Sequence, residues 1–257
     1  MMALAEDTVQ YLRSLERPAA VAVIGASGGI GGAIVDALAA DRGIARIWAA
    51  SRREIEHPSK QVHPLALDLT EEATIARAAE QIAAAGEPLD LVFVATGMLH
   101  DGDSLRPEKT WRTLDPDVLR RSFDVNCIGP ALVAKHFLPL LRRDRKAVFS
   151  ALSARVGSIG DNQLGGWYGY RASKAALNMM IRTLAIELAR RNSSAVCVGL
   201  HPGTVDTDLS RPFQRGVAAE RLFPAEQAAH QLLTVIDNLS SQSSGRLFAW
   251  DGSEIPF

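Results

Sequence analysis

The fold of this chain is decided by Ala20-Val-Ala-Val-Ile24-Gly25-Ala-Ser-Gly28-Gly29-Ile30-Gly31-Gly32, which joins a short apolar run to a glycine-rich turn and a helical stretch. Glycine permits the tight turn and lets a ligand approach bare backbone, and a helix that begins there points its N–H groups at an anion. Between a strand and a helix, such a turn predicts a phosphate or pyrophosphate site. A turn that merely needs glycine with positive φ is the alternative that the motif leaves open.

Short apolar runs alternate with helical stretches along the rest of the chain, a pattern typical of βαβ units. The runs are rich in Val, Ile, Leu and Phe without polar alternation, which suits parallel strands buried on both faces. The predicted strands are 20–24, 46–50, 62–67, 89–95, 147–150, 195–200 and 246–250, and the predicted helices are 29–41, 71–84, 117–143, 169–191 and 225–238. The third helix should break at Gly129-Pro130. We therefore predict an N-terminal extension (1–18) and one Rossmann-type α/β domain (19–257), a doubly wound parallel sheet of about seven strands flanked by helices.

Composition limits the possible partners. The chain has 257 residues, 47% of them hydrophobic, and a net charge of -1, which gives no general attraction to nucleic acid or anionic membranes. No apolar run reaches the length of a membrane span, and residues 1–18 lack a signal peptide's apolar stretch. Cys127 and Cys197 stand in apolar surroundings without Cys-x-x-Cys spacing, so reduced core thiols are expected. The composition predicts a soluble, cytoplasmic protein without a metal site.

Tyr170 and Lys174 are four residues apart in a predicted helix, so their side chains lie on one face. A free tyrosine titrates near 10, and a cation beside it favours the phenolate. The ammonium of Lys174, together with a charged cofactor, is expected to lower the pKa of Tyr170 toward neutral pH and give a proton donor. An ordinary polar pair on a helix surface is the alternative.

The combination of Gly25-x-x-x-Gly29-x-Gly31 with Tyr170-x-x-x-Lys174 resembles the short-chain dehydrogenase/reductase family over nearly the whole chain. Four further stretches resemble its C-factor-like and sniffer-like carbonyl reductase group: Ser153-Ala-Arg-Val-Gly-Ser-Ile, Tyr170-Arg-Ala-Ser-Lys-Ala-Ala-Leu-Asn, His201-Pro-Gly-Thr-Val-Asp-Thr and Ala249-Trp-Asp-Gly-Ser-Glu-Ile-Pro. The resemblance implies an enzyme that reduces an aldehyde or ketone with a nicotinamide cofactor, or catalyses the reverse oxidation. A non-catalytic nucleotide-binding signalling protein is the alternative on the same fold.

The resemblance assigns four catalytic residues. It implies that Tyr170 is the general acid/base, Lys174 tunes it, Ser153 hydrogen-bonds the substrate oxygen, and Asn126 holds a water on a proton path to Lys174. Ser150 and Tyr168 are nearby residues of the same types, and the resemblance favours Ser153 and Tyr170 over them. The gap between Ser153 and Tyr170 is four residues longer than is usual in the family, which predicts a bulged loop at 161–167.

The cofactor contacts are also implied by the resemblance. They are Gly25, Ser27, Gly29, Ile30, Gly31, Ser51, Arg52, Arg53, Asp68, Leu69, Gly97, Tyr170, Lys174, Pro202, Gly203, Val205 and Thr207. The family's Asn-Asn-Ala-Gly motif is Val94-Ala95-Thr96-Gly97 here, which puts its sheet-stabilising hydrogen bonds in doubt. Ser51-Arg52-Arg53 offers bases where a carboxylate would bind the ribose 2′-hydroxyl of NAD, so NADP is favoured over NAD.

Two long segments, 97–116 and 204–224, should lie at the carboxyl edge of the sheet and border the site. The substrate residues expected there are Met98, Leu99, Trp167, Thr204, Leu209 and Phe213. Their side chains predict an apolar or aromatic carbonyl compound or the corresponding alcohol as small-molecule substrate. By resemblance, a homodimer or homotetramer is expected.

Overall fold

The computed structural model describes residues 10–102 and 105–257. Within these residues the main sheet has eight strands, which are β1 Ala19–Ile24, β2 Ile44–Ser51, β3 Val62–Ala66, β4 Leu91–Val94, β5 Ala147–Leu152, β6 Ala195–His201, β9 Leu247–Ala249 and β10 Glu254–Ile255. Their order across the sheet is β10-β9-β6-β5-β4-β1-β2-β3. The seven predicted strands are all present and pair in parallel, and the two-residue β10 adds an antiparallel edge that the sequence prediction missed.

The described part of the chain contains six α-helices. They are α1 Gly29–Ala39, α2 Glu72–Ala84, α3 Pro116–Phe123, α4 Gly129–Phe137, α5 Tyr168–Arg191 and α6 Ala225–Asn238. One apolar core forms where α2, α4 and α5 pack on the sheet, and a second where α1 and α6 pack on its other face. The predicted doubly wound α/β fold, a single domain, is confirmed.

The third predicted helix, 117–143, is divided in the structure. A π-helical turn at Asp124–Ile128 separates α3 from α4, and α4 ends at Phe137. Gly129 follows the π turn directly, and a Cβ there would come 2.8 Å from the side chain of Leu69. The predicted break at Gly129-Pro130 is therefore confirmed. It consists of a π-helical turn that ends immediately before Gly129.

The described part of the N-terminal extension packs against the domain. Leu12 and Leu15 are buried in the α1/α6 core, and Arg17 forms an ion pair with Asp41 at 2.6 Å. Lys146 Nζ donates to Ser14 Oγ at 2.6 Å. Residues 10–18 thus extend the core at the end of the sheet opposite to the glycine turn.

Two other features of the fold border the carboxyl edge of the sheet. Segment 204–224 contains a second, two-stranded sheet of β7 Thr204–Val205 and β8 Leu222–Phe223. Segment 158–167 precedes α5 as an irregular loop in which Gly165, Gly166 and Trp167 all have positive φ. This is the bulge predicted at 161–167.

Cys127 and Cys197 are buried free thiols, as predicted.

Candidate active site

The glycine turn leaves the first turn of α1 open to a ligand. Gly25 has φ +87°, and its carbonyl accepts the N–H of Gly28 at 3.0 Å. Gly28 is the N-cap residue, and among the described residues no side chain hydrogen-bonds at that cap. A Cβ on Gly31 would lie 2.2 Å from the Gly25 carbonyl oxygen, so only glycine fits there. Bare N–H groups at the positive end of a helix fit a pyrophosphate.

A basic side chain closes one side of this turn. Arg53 follows β2, and its guanidinium donates to the Ser27 carbonyl at 2.9 Å and approaches the Ser27 hydroxyl at 3.4 Å. Ser51 Oγ in turn donates to Ser27 Oγ at 2.6 Å and accepts the Arg53 backbone N–H. Burial acts to raise the pKa of Asp68, but the hydrogen bonds from Thr70 and, more weakly, the exposed Arg52 lower it, and the net pKa is below the usual value. The structure therefore brings together two predicted cofactor contacts, Arg53 and Ser27. The exposed guanidinium of Arg53 lies beside the phosphate-binding turn.

The loops after β4 and β6 complete the cleft over the turn. The Thr207 methyl would be 2.7 Å from a Cβ on Gly29, so this loop lies against the start of α1. Gly203 has φ +78° and packs on Phe223 and Trp250, while Val205 is buried in the small sheet. Gly97 lies close to both Lys174 and Asn126. The predicted cofactor residues from three separate loops thus share one edge of the sheet.

Lys174 and Tyr170 lie on one face of α5, as predicted, and Lys174 is 2% exposed. Lys174 Nζ donates to the carbonyl of Leu152, the last residue of β5, at 2.7 Å. The same nitrogen is 5.9 Å from the centre of the Tyr170 ring. The lysine is therefore held by the strand end beside the tyrosine.

Burial dominates the pKa of Tyr170 in the protein alone, and the lowering expected from Lys174 together with a charged cofactor stays a prediction. Burial raises the pKa of Tyr170 to about 12 and lowers the pKa of Lys174 to about 7. Each shift has the same cause, because an apolar environment disfavours the charged form of either group. The sequence argument included the attraction between the two groups and left out their desolvation. The resulting tyrosine is protonated at neutral pH, which is the state a proton donor needs.

Ser153 directly follows β5 and is almost fully buried. Its hydroxyl donates to Asn178 Oδ1 at 2.6 Å. Asn178 is one helical turn beyond Lys174 on α5, so Tyr170, Lys174 and Asn178 follow one another at four-residue intervals. The structure thus joins the predicted serine to the same helix face as the tyrosine and lysine.

Asn126 lies in the π turn and is fully buried. Its amide group accepts the Met98 N–H and donates to the Met98 carbonyl, both at 2.8 Å. It also donates to Ser173 Oγ at 3.1 Å. These bonds fix the backbone after β4 next to α5. The proton path through Asn126 stays a prediction.

The predicted substrate residues Trp167 and Phe213 meet beside Tyr170. The Trp167 ring contacts the Phe213 ring edge-to-face at 5.2 Å and lies 6.3 Å from the Tyr170 ring. His100 packs on Phe213 at 5.7 Å and bonds the Asp208 carbonyl at 2.9 Å. Of the other expected residues, Leu99 is buried in the fold, while Met98, Thr204 and Leu209 are half-buried. Three loops therefore form one aromatic wall at the site.

Across residues 10–102 and 105–257, no helix is both long and apolar enough to span a membrane. In the same part of the chain, no group of three or more His, Cys, Asp or Glu side chains could hold a metal ion.

Comparison with known proteins places this architecture in a family. Residues 19–218 match the family described as short chain dehydrogenase. The chain belongs to the short-chain dehydrogenase family. The matched region includes the glycine turn, Ser153, Tyr170 and Lys174. The family prediction is therefore confirmed.

Relatives of this short-chain dehydrogenase agree with the narrower resemblance. C-signal of Myxococcus xanthus is 38% identical over 139 residues, which cover 54% of this chain and 78% of that protein. 1-Hydroxy-2-glutathionyl-2-methyl-3-butene dehydrogenase of Rhodococcus sp. (strain AD45) is 34% identical, over 73% of this chain and 76% of that protein. The structure of the NADPH-bound carbonyl reductase from chicken fatty liver superposes with a TM-score of 0.80 at 25% identity, covering 95% and 96% of the two chains.

Three residues of the site were missed by the sequence analysis. Asn178 was quoted as part of a motif without a role, although it continues the four-residue spacing of Tyr170 and Lys174. Glu108 is buried and accepts the Gly169 N–H at 3.1 Å, so it caps the start of α5, while its Oε1 finds no partner among the described residues. His100 belongs to the aromatic wall. Glu108 and His100 lie in the long segment 97–116, where no periodic pattern could indicate their contacts.

Proposed function

We propose that this short-chain dehydrogenase is an NADP(H)-dependent oxidoreductase that reduces an aldehyde or ketone to an alcohol, or catalyses the reverse oxidation. The observation that carries the proposal is the set formed by the half-buried Tyr170 and the buried Lys174 and Ser153 at the carboxyl edge of the sheet, beside the open turn of α1. The solved carbonyl reductase with the same fold has NADPH bound.

The residues at the glycine turn fit a dinucleotide phosphate. The N–H groups at the start of α1 would bind the pyrophosphate, and Asp68 with Leu69 would border the adenine. Pro202, Gly203, Val205 and Thr207 would hold the far end of the cofactor above β6. When bound, NADPH supplies the hydride that adds to the carbonyl carbon.

The position and charge of Arg53 favour NADP over NAD as the cofactor. The side chain is exposed and contacts the turn through Ser27, so it would be available to a phosphate on the adenosine ribose. A guanidinium can bind a phosphate through two parallel charge-assisted hydrogen bonds, whereas the 2′-hydroxyl of NAD offers no negative charge. Arg52 adds a second positive charge that is partly offset by Asp68.

Tyr170 supplies the proton in the direction of reduction. Its raised pKa keeps the phenol protonated at neutral pH, so it can donate as negative charge develops on the carbonyl oxygen. The O–H bond of Tyr170 breaks as that of the alcohol forms, and the ammonium form of Lys174 stabilises the phenolate that remains. Asn126 and its water would return a proton through Lys174.

The aromatic wall favours an apolar or aromatic carbonyl substrate. Trp167 and Phe213 place ring edges and faces beside Tyr170, where a flat apolar compound gains contact area. A small-molecule substrate of this kind needs no nucleic-acid or membrane partner. The cytoplasmic location, the homodimer or homotetramer and the division into 1–18 and 19–257 remain predictions.

The proposal is tested by following oxidation of NADPH and NADH with a panel of aldehydes, ketones and quinones. We expect turnover with aromatic carbonyls and a preference for NADPH. In Tyr170→Phe, kcat should fall about 10²- to 10⁴-fold while NADPH binds as in the wild type. Wild-type turnover in that variant would refute the role of Tyr170.

A signalling role is the second candidate, favoured by the match to C-signal. The two functions give different results in the same assay. NADPH binding without oxidation by any compound of the panel would favour a nucleotide-binding signalling protein.

A further inference from the structure

Trp167 has an unusual backbone conformation for a tryptophan. Its φ of +52° and ψ of +46° lie in the left-handed region, and Gly165 and Gly166 before it have φ of +63° and +65°. Glycine adopts this region readily, whereas a bulky side chain is rarely found there and adds strain. Because strained residues persist only where surrounding contacts fix them, the contacts of this loop identify what holds Trp167 in place.

Glu108 holds the loop from the side of segment 97–116. The Trp167 N–H donates to the Glu108 carbonyl at 2.5 Å, and the Gly169 N–H donates to the buried Glu108 carboxylate at 3.1 Å. The carboxylate can come this close because Gly169 has no side chain: a Cβ there would lie 3.0 Å from Glu108 Oε1. Trp167 is the N-cap residue of α5 and its indole makes no cap bond, so Glu108 supplies the acceptor that the first turn of a helix needs.

Arg171 holds the same loop from α5. Its Nε lies 3.2 Å from the Gly165 carbonyl oxygen and 3.0 Å from the Gly166 carbonyl oxygen, and its Nη1 donates to the Val156 carbonyl at 3.2 Å. The backbone N–H of Arg171 donates to the Trp167 carbonyl at 2.8 Å. The carbonyl groups of residues 165, 166 and 167 therefore all accept hydrogen bonds from this one arginine.

Glu108 and Arg171 together fix the peptide groups on both sides of Trp167. In the peptide group that joins Gly166 to Trp167, Arg171 binds the oxygen and Glu108 binds the N–H. In the next peptide group, Arg171 binds the Trp167 carbonyl oxygen. Rotation of either peptide group would break at least one of these bonds, so φ and ψ of Trp167 are both determined. The direction of its Cα–Cβ bond is then determined as well.

We propose that Glu108 and Arg171 are positioning residues that hold the Trp167 ring beside Tyr170 and thereby set a preference for aromatic over small aliphatic carbonyl substrates. The Trp167 ring lies 6.3 Å from the Tyr170 ring and contacts Phe213 at 5.2 Å. A flat aromatic substrate gains contact with these rings, whereas a small aliphatic substrate gains little. The inference rests on the proposed carbonyl reductase function. Glu108 and Arg171 act on the substrate only through Trp167.

The test compares kcat/KM for benzaldehyde with kcat/KM for propanal, with NADPH as cofactor. Glu108→Ala and Arg171→Leu should each lower the ratio of benzaldehyde to propanal about 3- to 10-fold, the effect expected when one ring contact is lost. The loss should appear mainly as a higher KM for benzaldehyde, because the Trp167 ring binds the substrate and transfers no proton. The dissociation constant of NADPH should stay within about twofold in every variant.

Two comparisons distinguish positioning of Trp167 from general support of the fold. In a Trp167→Ala background, which lacks the ring, Glu108→Ala and Arg171→Leu should change the ratio by less than about twofold. Glu108→Gln keeps an oxygen that can accept the Gly169 N–H, so its ratio should stay within about twofold of the wild type. If Glu108→Ala does not fold, Arg171→Leu in the two backgrounds decides the matter.

Asp115→Ala and Arg191→Leu are the matched controls. The Asp115 carboxylate caps α3 by accepting the N–H groups of Asp117 and Val118 at 2.9 and 3.0 Å. Arg191 lies at the far end of α5, paired with Glu187 on the surface. Asp115→Ala should lower the melting temperature, and both controls should leave the ratio unchanged. A control that lowered the ratio as far as Glu108→Ala would overturn the inference.

The outcomes separate this inference from the proposed function. A wild type that turns over no carbonyl compound would remove the proposed function itself. An active wild type whose Glu108→Ala and Arg171→Leu variants lose the same factor on both aldehydes would overturn the inference alone. So would a fall in the ratio that persists when Trp167 is alanine, or a Trp167→Ala variant with the wild-type ratio.

Discussion

Lys174 is expected to destabilise the folded protein at neutral pH, and replacing it should make the protein more stable. Burial lowers the pKa of Lys174 from 10.5 to about 7. At about 1.36 kcal/mol per pKa unit, holding the ammonium in the folded state costs about 5 kcal/mol. Lys174→Met removes this cost but leaves the Leu152 carbonyl without its donor, a loss of about 1–3 kcal/mol. The net gain in the free energy of unfolding is therefore about 2–4 kcal/mol below pH 7.

The sign of the pH dependence follows from which state binds the proton. Between pH 7 and 10.5 the unfolded chain keeps Lys174 protonated while the folded protein releases the proton. The unfolded state then binds more protons, so the free energy of unfolding rises with pH in this window, by up to about 1.4 kcal/mol per pH unit from this group. The destabilisation is complete below pH 7 and disappears above pH 10.5. In Lys174→Met this part of the slope should be missing.

Urea unfolding without cofactor, at intervals from pH 6.5 to 9.5, measures the effect. Other groups also titrate in this range, so the informative quantity is the difference between wild type and variant at each pH. Lys135→Met serves as the control because Lys135 is exposed and paired with Glu72 on the surface. It should not change the slope. Our reasoning is wrong if Lys174→Met is less stable than the wild type at pH 6.5, or if its slope matches that of the wild type.

Two further predictions concern the cofactor. Arg53→Ala should weaken NADPH binding about 10- to 150-fold, the equivalent of about 1.5–3 kcal/mol for a charge-assisted contact, and leave NADH binding within about twofold in fluorescence titrations. An equal loss for both nucleotides would mean that Arg53 only supports the turn through Ser27. Gly31→Ala should abolish binding of both nucleotides, because its Cβ would lie 2.2 Å from the Gly25 carbonyl oxygen, whereas Gly32→Ala, with 3.4 Å to its nearest neighbour, should bind normally. If Gly31→Ala still bound NADPH, the inference that position 31 has no room for a side chain beside the Gly25 carbonyl would be wrong.

The parts of the site that could be predicted from sequence are those set by local spacing. The glycine turn follows β1 and begins α1 as expected, because backbone conformation and helix start are decided by adjacent residues. Tyr170 and Lys174 share a helix face because a four-residue interval is nearly one turn. The strands differ from their predicted bounds by two residues or fewer at each end, since continuous apolar runs mark them clearly.

The features of the site that could not be predicted from the sequence depend on contacts between distant segments of the chain. The pKa of Lys174 is governed by burial, and that burial is created by β5 and the π turn rather than by neighbours in the chain. The contact between Trp167 and Phe213 joins loops 46 residues apart, and neither loop has a periodic pattern. Strand β10 has two residues and carries too little pattern to be recognised.

The end of β5 and one face of α5 form a single unit that holds a buried lysine beside a tyrosine. Leu152 gives its carbonyl to Lys174, and the next residue, Ser153, gives its proton to Asn178. The last residue of β5 and the residue after it thus bond positions that are one helical turn apart. Because both bonds are made by the same short stretch, the strand end cannot shift along the helix without breaking both. The free energy lost by burying the ammonium of Lys174 is offset by packing elsewhere in the two cores, and the result is a tyrosine, a lysine and a serine held in fixed relation before any ligand arrives.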